Sequence, residues 1–260
     1  MGQSLFGPDS MMWRVNREAV LLVGGRAALL MQLAHPLVAA GVDHHSRFQA
    51  DPLGRLRRTM ETVHEIVFGD ETSARARVEA INAIHDRVHG LSAEGRPYHG
   101  RDPYLLLWVY ATLVDASVRV YEAFVEALPD ADSVRYYEES KVVGEMFGIP
   151  PEVMPSTLED LRAWMHRRVD SGEIAVTPTA RRLARPLLLP VPLVPGRFAK
   201  LTALLPAALL PPPIRDGYGL AAGPLPRLAL AAVGRAFRSA RPVIPDVLVT
   251  FPAARAAGAR

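Results

Sequence analysis

The chain has 260 residues, of which 49% are hydrophobic and 22% charged, enough for one large domain or two small ones with a substantial core. It has no cysteine. That excludes a disulfide scaffold, thiolate-bound zinc, iron–sulfur clusters, a cysteine nucleophile and thiolate-ligated haem, so any metal must rest on His or oxygen ligands. The formal charge of +3 hides a split: residues 1–180 carry 18 Lys and Arg against 25 Asp and Glu, and residues 181–260 carry 12 against 2.

The opening MGQSLFGPDSMMWRVNRE has no basic stretch followed by an apolar one, which argues against a secretory signal and for a cytoplasmic protein. Residues 18–40 are apolar on nearly every side and predict one central helix. Gly24, Gly25, Arg26, Gln32, His35 and Pro36 interrupt them too often for a membrane span. Asp51-Pro52 opens the next helix, with Asp as cap and Pro at the first position; it ends at Phe68-Gly69-Asp70. Residues 72–88 form a third, with Ala76, Ala80, Ile84 and Val88 at four-residue spacing and Gly90 as the stop. Residues 91–101 predict a polar loop. Asp102-Pro103 then opens a long apolar helix over 104–128, followed by 130–147 and, capped by Ser156 or Thr157, a helix through Val169. No alternating strand pattern occurs.

Beyond residue 180 the grammar changes, because 13 of the 23 prolines lie there. Short helices such as 197–205 and 225–238 are expected, packed on the helical body, with a frayed terminal stretch of about ten residues. The prediction is a single all-α domain over 1–260: a helical core in 1–180 and a Pro/Arg-rich C-terminal segment wrapping it. The apolar run 186–213, flanked by arginines, points to peripheral contact with a membrane surface. The basic part has no stripe interleaved with aromatics, so nucleic acid is not an expected partner.

Without cysteine, metal chemistry falls to eight histidines, six of them between residues 35 and 89. His44-His45 sits at a predicted helix end, where a cation complements the dipole. Arg55 and Thr59 are one turn apart on one helix face and could receive a carboxylate, a haem propionate or an oxygen species, or belong to a surface arginine cluster. His85 and His89, also one turn apart, could share a metal; either could instead be a lone haem ligand or a satisfied core histidine. Arg26 and Asp115 lie in apolar helices and would satisfy each other as a buried pair.

The ordered segments GGRAALLMQLAHPLVAAGVDHHSRF (24–48), DPLGRLRRTMETVHEIVFGD (51–70), IHDRVHG (84–90), RPYHGRDP (96–103), LLLWVYATLVDA (105–116), YYEESKVVGEMFGIP (136–150) and VTPTARRLARPLLLP (176–190) resemble the MpaB-like oxygenase family, related to the latex-clearing rubber oxygenases. The resemblance implies a globin-like helical fold holding haem b and an oxygenase or oxidoreductase reaction on a small hydrophobic substrate. Dioxygen would meet the iron on the side away from a His ligand. That ligand most resembles His85, in the pattern H-x-x-V-x-G, with His89 as the alternative. Arg55 and Thr59 match the Arg-x-x-x-Thr pair lining the dioxygen side. Arg58, standing where the rubber oxygenases carry Lys, and Arg26 are candidates for the propionates. Tyr110 replaces a His common in the family and would alter the pocket. Two other classes remain open: a non-haem metal enzyme using His85, His89 and one of His44, His45 or His64, and a non-catalytic helical module binding a lipid or partner.

Overall fold

The computed structural model describes residues 4–46, 52–188 and 204–259, with side chains from residue 54 onward in the second stretch. The fold is all-α; the one sheet among the described residues is a two-stranded hairpin.

Helix α1 (Met11–Asn16) starts at Ser10, whose hydroxyl oxygen accepts the Trp13 amide at 3.1 Å. The predicted central helix is broken in two: α2 (Leu22–Ala34) and α3 (Pro36–His45) meet at a bend of 100°. Pro36 causes the break. It has no N–H to continue α2, and it forces His35 into extended backbone (φ −76°, ψ 118°). The His35 imidazole then caps α3, Nδ1 accepting the Leu37 amide at 3.2 Å. Helix α4 (Pro52–Phe68) follows; its expected cap, Asp51, lies outside the described residues. Asp70 caps α5 (Glu71–His85), accepting the Ser73 amide at 2.9 Å.

Helix α5 stops at His85, three residues short of the expected Val88, and the expected polar loop contains the hairpin β1 (His89–Leu91) and β2 (Pro97–His99). Three-residue strands carry no alternation long enough to detect. Tyr98, buried beneath the hairpin, is its one apolar anchor.

Helix α6 (Pro103–Phe124) is capped by Asp102 and ends four residues before the expected Leu128. Trp108, Tyr121 and Phe124 are among its fully buried side chains. It packs along α2, and its Trp108 indole donates to the Met31 carbonyl at 3.1 Å. That carbonyl is in the last turn of α2, where no helical partner follows. Helices α7 (Asp130–Met146) and α8 (Leu158–Asp170, capped by Thr157) lie against α6.

The C-terminal part continues as α9 (Pro178–Leu188), α10 (204–209), α11 (Pro212–Gly217), α12 (Leu225–Ala240), α13 (Asp246–Val249) and α14 (Pro252–Gly258). The helix expected over 197–205 lies almost entirely outside the described residues. Helix α9 packs on α2 and α3, α12 on α6, and α14 on α4. Residues 251–259 are therefore not frayed: Phe251 and Ala254 are buried, and the Phe251 ring lies 4.2 Å from that of His64. The proposed Arg26–Asp115 pair does not form. Arg26 faces α9 and donates to the Leu187 carbonyl, whereas Asp115 accepts from Arg162 Nε at 2.8 Å across the α6–α8 contact. No single helix among the described residues is long and apolar enough to cross a membrane.

Candidate active-site cavity

A cavity of about 240 Å³, continuous with solvent, lies among α1, α2, α4, α5, α6 and α7. Its walls are chiefly apolar: Leu56 and Val63 from α4, Ile81 from α5, and Leu106, Val109 and Leu113 from α6. Gly24 and Gly25 of α2 form another part of the wall. Two helical glycines cost about 1 kcal/mol each relative to alanine, and packing explains them. A Cβ on Gly24 would come within 2.9 Å of Val120 on α6, and one on Gly25 within 2.4 Å of Leu56 on α4.

Four of the residues singled out in the sequence meet here. Arg55 and Thr59 line the cavity one turn apart on α4, His85 enters from the last turn of α5, and Tyr110 from α6. Desolvation is the largest influence on Arg55 and holds its guanidinium below the ordinary arginine value, with Arg58 adding like-charge repulsion. Arginine nevertheless stays charged at neutral pH. The Thr59 hydroxyl donates to the Arg55 carbonyl at 3.0 Å, leaving its oxygen as an acceptor toward the cavity. The Tyr110 hydroxyl is turned away, donating to the Ser140 carbonyl at 2.5 Å; its ring forms the wall, and burial holds its proton on.

His85 is the unusual member. Its Nδ1 is buried and makes no hydrogen bond. Burial, then the charges of Arg101 and Arg55, push the imidazole below its ordinary value; Asp86 opposes them. The ring is therefore neutral near neutral pH, the form with a lone pair to give a metal.

The other candidates lie elsewhere. His89 is exposed on β1, its ring stacked on that of His99 across the hairpin at 6.1 Å. His44 Nδ1 pairs with the Tyr98 hydroxyl at 2.7 Å and His45 Nε2 with the His89 carbonyl at 3.1 Å, so this pair ties the end of α3 to the hairpin. His64 packs between Phe68 and Phe251, with Nε2 buried and unpartnered. Among the described residues no three His, Asp or Glu side chains gather as a metal site, so the three-histidine arrangement is not assembled. Arg58 is exposed, and neither it nor Arg26 belongs to the cavity wall.

The wall also holds polar residues that sequence reasoning passed over. Gln32 Nε2 donates to the Thr112 hydroxyl at 3.1 Å, and Asn16, Ser117 and Tyr136 also line the cavity. Gln32 was visible only as an interruption in an apolar helix; Asn16 and Ser117 carry no periodic signal.

A family model described as ER-bound oxygenase mpaB/B'/Rubber oxygenase, catalytic domain, matches residues 13–239, a span that contains Arg55, Thr59, His85 and Tyr110. Neither the curated proteins nor the solved structures give a match.

Proposed function

The chain belongs to the mpaB/rubber oxygenase catalytic-domain family, and from that premise we propose that it is a haem b-dependent oxygenase acting on a small hydrophobic molecule with dioxygen. The observation that carries the cofactor assignment is His85. A neutral imidazole sits on the wall of a mainly apolar cavity. His85 is the one histidine among the described residues that line this cavity, and a neutral imidazole has a lone pair to give a metal. Haem needs a single protein ligand, which fits a cavity offering one such histidine.

His85 would hold the iron, and Arg58, exposed on α4 one turn from Arg55, would meet a propionate. Haem would supply the dioxygen activation that no side chain here provides. Around it, the chain's own residues bind and orient. The Arg55 guanidinium presents fixed N–H donors to negative charge developing on oxygen, at no reorganisation cost. Thr59 Oγ1 is oriented by its bond to the Arg55 carbonyl and accepts a hydrogen bond from the cavity side. Leu106, Val109 and Leu113 hold an apolar substrate and exclude water. Polymer cleavage is not part of the proposal.

The test is the absorption spectrum of freshly purified protein with pyridine haemochrome quantification. A Soret band with near-stoichiometric haem is expected, lost in His85→Ala and kept in His89→Ala. A colourless protein produced with haem precursor supplied, or a His85→Ala variant with an unchanged spectrum, refutes the assignment. If His85→Ala leaves binding of an apolar probe intact and no haem is ever found, the cavity is a carrier site.

A further inference from the structure

We propose that the outer face of α12, together with the turn that follows it, is a docking surface for an anionic phospholipid membrane. Helix α12 has two unlike sides. Pro226 and Gly234 are buried, and Leu230, Val233 and Phe237 pack on the core, Phe237 edge-on to Phe124. A Cβ on Gly234 would come within 2.3 Å of the Ala123 carbonyl oxygen, so this side is pressed onto the end of α6. At 100° per residue the opposite side carries Leu225, Leu228, Ala232 and Arg235. Leu225 and Leu228 are 57% and 62% exposed. The chain then turns through Val243, Val247 and Leu248, which are 83%, 55% and 69% exposed. Five of the eleven large hydrophobic residues exposed among the described residues fall within this short stretch. Single exposed leucines need no explanation; Leu225 and Leu228, one turn apart on the side of α12 that also carries Arg235, form an apolar pair, and Val243, Val247 and Leu248 form a second exposed apolar group beyond the far end of the helix.

Charge identifies the occupant. A groove of about 390 Å³ beside this face is lined by Arg119, Arg227, Arg235, Arg238 and Leu230, among others. Two of these arginines are committed: Arg119 donates to the Leu209 carbonyl at 2.6 Å, and Arg238 to the Ala123 carbonyl at the end of α6. Arg227 and Arg235 make no hydrogen bond or ion pair with the described residues. The one acid beyond residue 216, Asp246, is already paired with Arg17 at 2.9 Å. The face therefore offers two uncommitted guanidinium groups, which suit phosphate oxygens, beside an apolar row. A second copy would bring the same positive charge and be repelled. A nucleic-acid backbone has no use for protruding leucines, and this outer row has no aromatic ring for base stacking. An anionic bilayer satisfies both features, with leucines in the acyl boundary and arginines at the headgroups.

The test is co-sedimentation of the full chain with vesicles of phosphatidylcholine alone or mixed with phosphatidylserine, at low and high salt. Binding to the mixed vesicles at low salt, weakened by salt and absent from phosphatidylcholine alone, is expected. Arg227→Gln with Arg235→Gln should lower partitioning roughly 30-fold. Leu225→Asp with Leu228→Asp should abolish it. All four side chains are exposed, and circular dichroism verifies that the variants remain folded. The proposal is overturned by failure to bind the mixed vesicles, by equal binding to phosphatidylcholine alone, or by indifference to both pairs of substitutions. Vesicle-free self-association that Leu228→Asp removes would assign the face to a second copy, and salt-sensitive RNA binding lost with the arginine pair but not the leucine pair would assign it to nucleic acid; either also overturns it.

Discussion

Two histidines make this fold acid-labile at mild pH. His35 sits at the α2–α3 corner, and burial pushes its imidazole down to about 4 from 6.5, with Arg96 and Arg168 adding to the effect against Glu173 and Asp102. His64, packed between Phe68 and Phe251, is pushed down to about 4 by burial, opposed by Glu61. In both, the fold favours the neutral ring. Above pH 6.5 neither state binds the proton, and the full stability is present. As pH falls below 6.5 the unfolded chain takes up protons that the folded chain refuses, and stability drops until about pH 4. The whole interval is worth about 3 kcal/mol for His35 and less for the partly exposed His64. A total stability of roughly 5–15 kcal/mol makes that a large share. Protonation of His35 also removes the acceptor for the Leu37 amide, so α3 loses its cap. Urea unfolding followed by circular dichroism should show the midpoint falling steadily from about pH 7 to about pH 5, by roughly 1–2 kcal/mol per histidine. His35→Asn keeps a capping acceptor that does not titrate, and His64→Phe keeps an aromatic ring in place. The double variant should flatten the pH dependence. A wild-type midpoint that does not move over this interval, or a double variant as acid-sensitive as the wild type, would refute the reasoning.

Two further predictions concern α6. Trp108→Phe should destabilise the protein by roughly 2–3 kcal/mol, because it leaves a void beside Met31 and strips the Met31 carbonyl of its donor; a urea midpoint within experimental error of wild type would contradict it. Gly234→Ala separates helix propensity from packing: propensity alone favours Ala by about 1 kcal/mol, whereas the 2.3 Å approach to the Ala123 carbonyl predicts a lower melting temperature, so a rise would show that α12 is not pressed onto α6.

What the sequence reveals here follows the range of the forces involved. Capping is local, so Asp102 and the Ser156/Thr157 pair mark their helices from neighbouring residues alone, Thr157 being the cap; Asp70, read as the end of α4, is instead the cap of α5. The Arg55–Thr59 pair is equally local, since one helical turn suffices to place both side chains on one wall. Sequence pairs Asp115 with Arg26 because both are charges in apolar helices, but which partner each finds is a tertiary matter. The α6–α8 contact supplies Arg162, and α9 supplies a backbone carbonyl to Arg26. The α2–α3 corner was legible in Pro36 but was outweighed by an apolar run that reads as one core helix.

His85 and His89 show where spacing misleads. Four residues apart in a helix, they would share a face and a metal. The helix ends at His85, however, and the next three residues turn the chain into a hairpin. The Gly100 amide donates to the Val88 carbonyl at 2.6 Å, closing the hairpin base against the end of α5. A side chain at Gly100 would strike the His85 backbone carbonyl at 2.6 Å, so the glycine is what lets the second strand approach. That approach sends His89 outward to stack on His99 and leaves His85 alone on the cavity wall. Two histidines that helical spacing does not rank thus become unlike: one exposed, the other half-buried, neutral and without a partner for its buried Nδ1. The distinction rests on the glycine at position 100 and the short strands it brings together, a long-range pairing that helical periodicity does not encode.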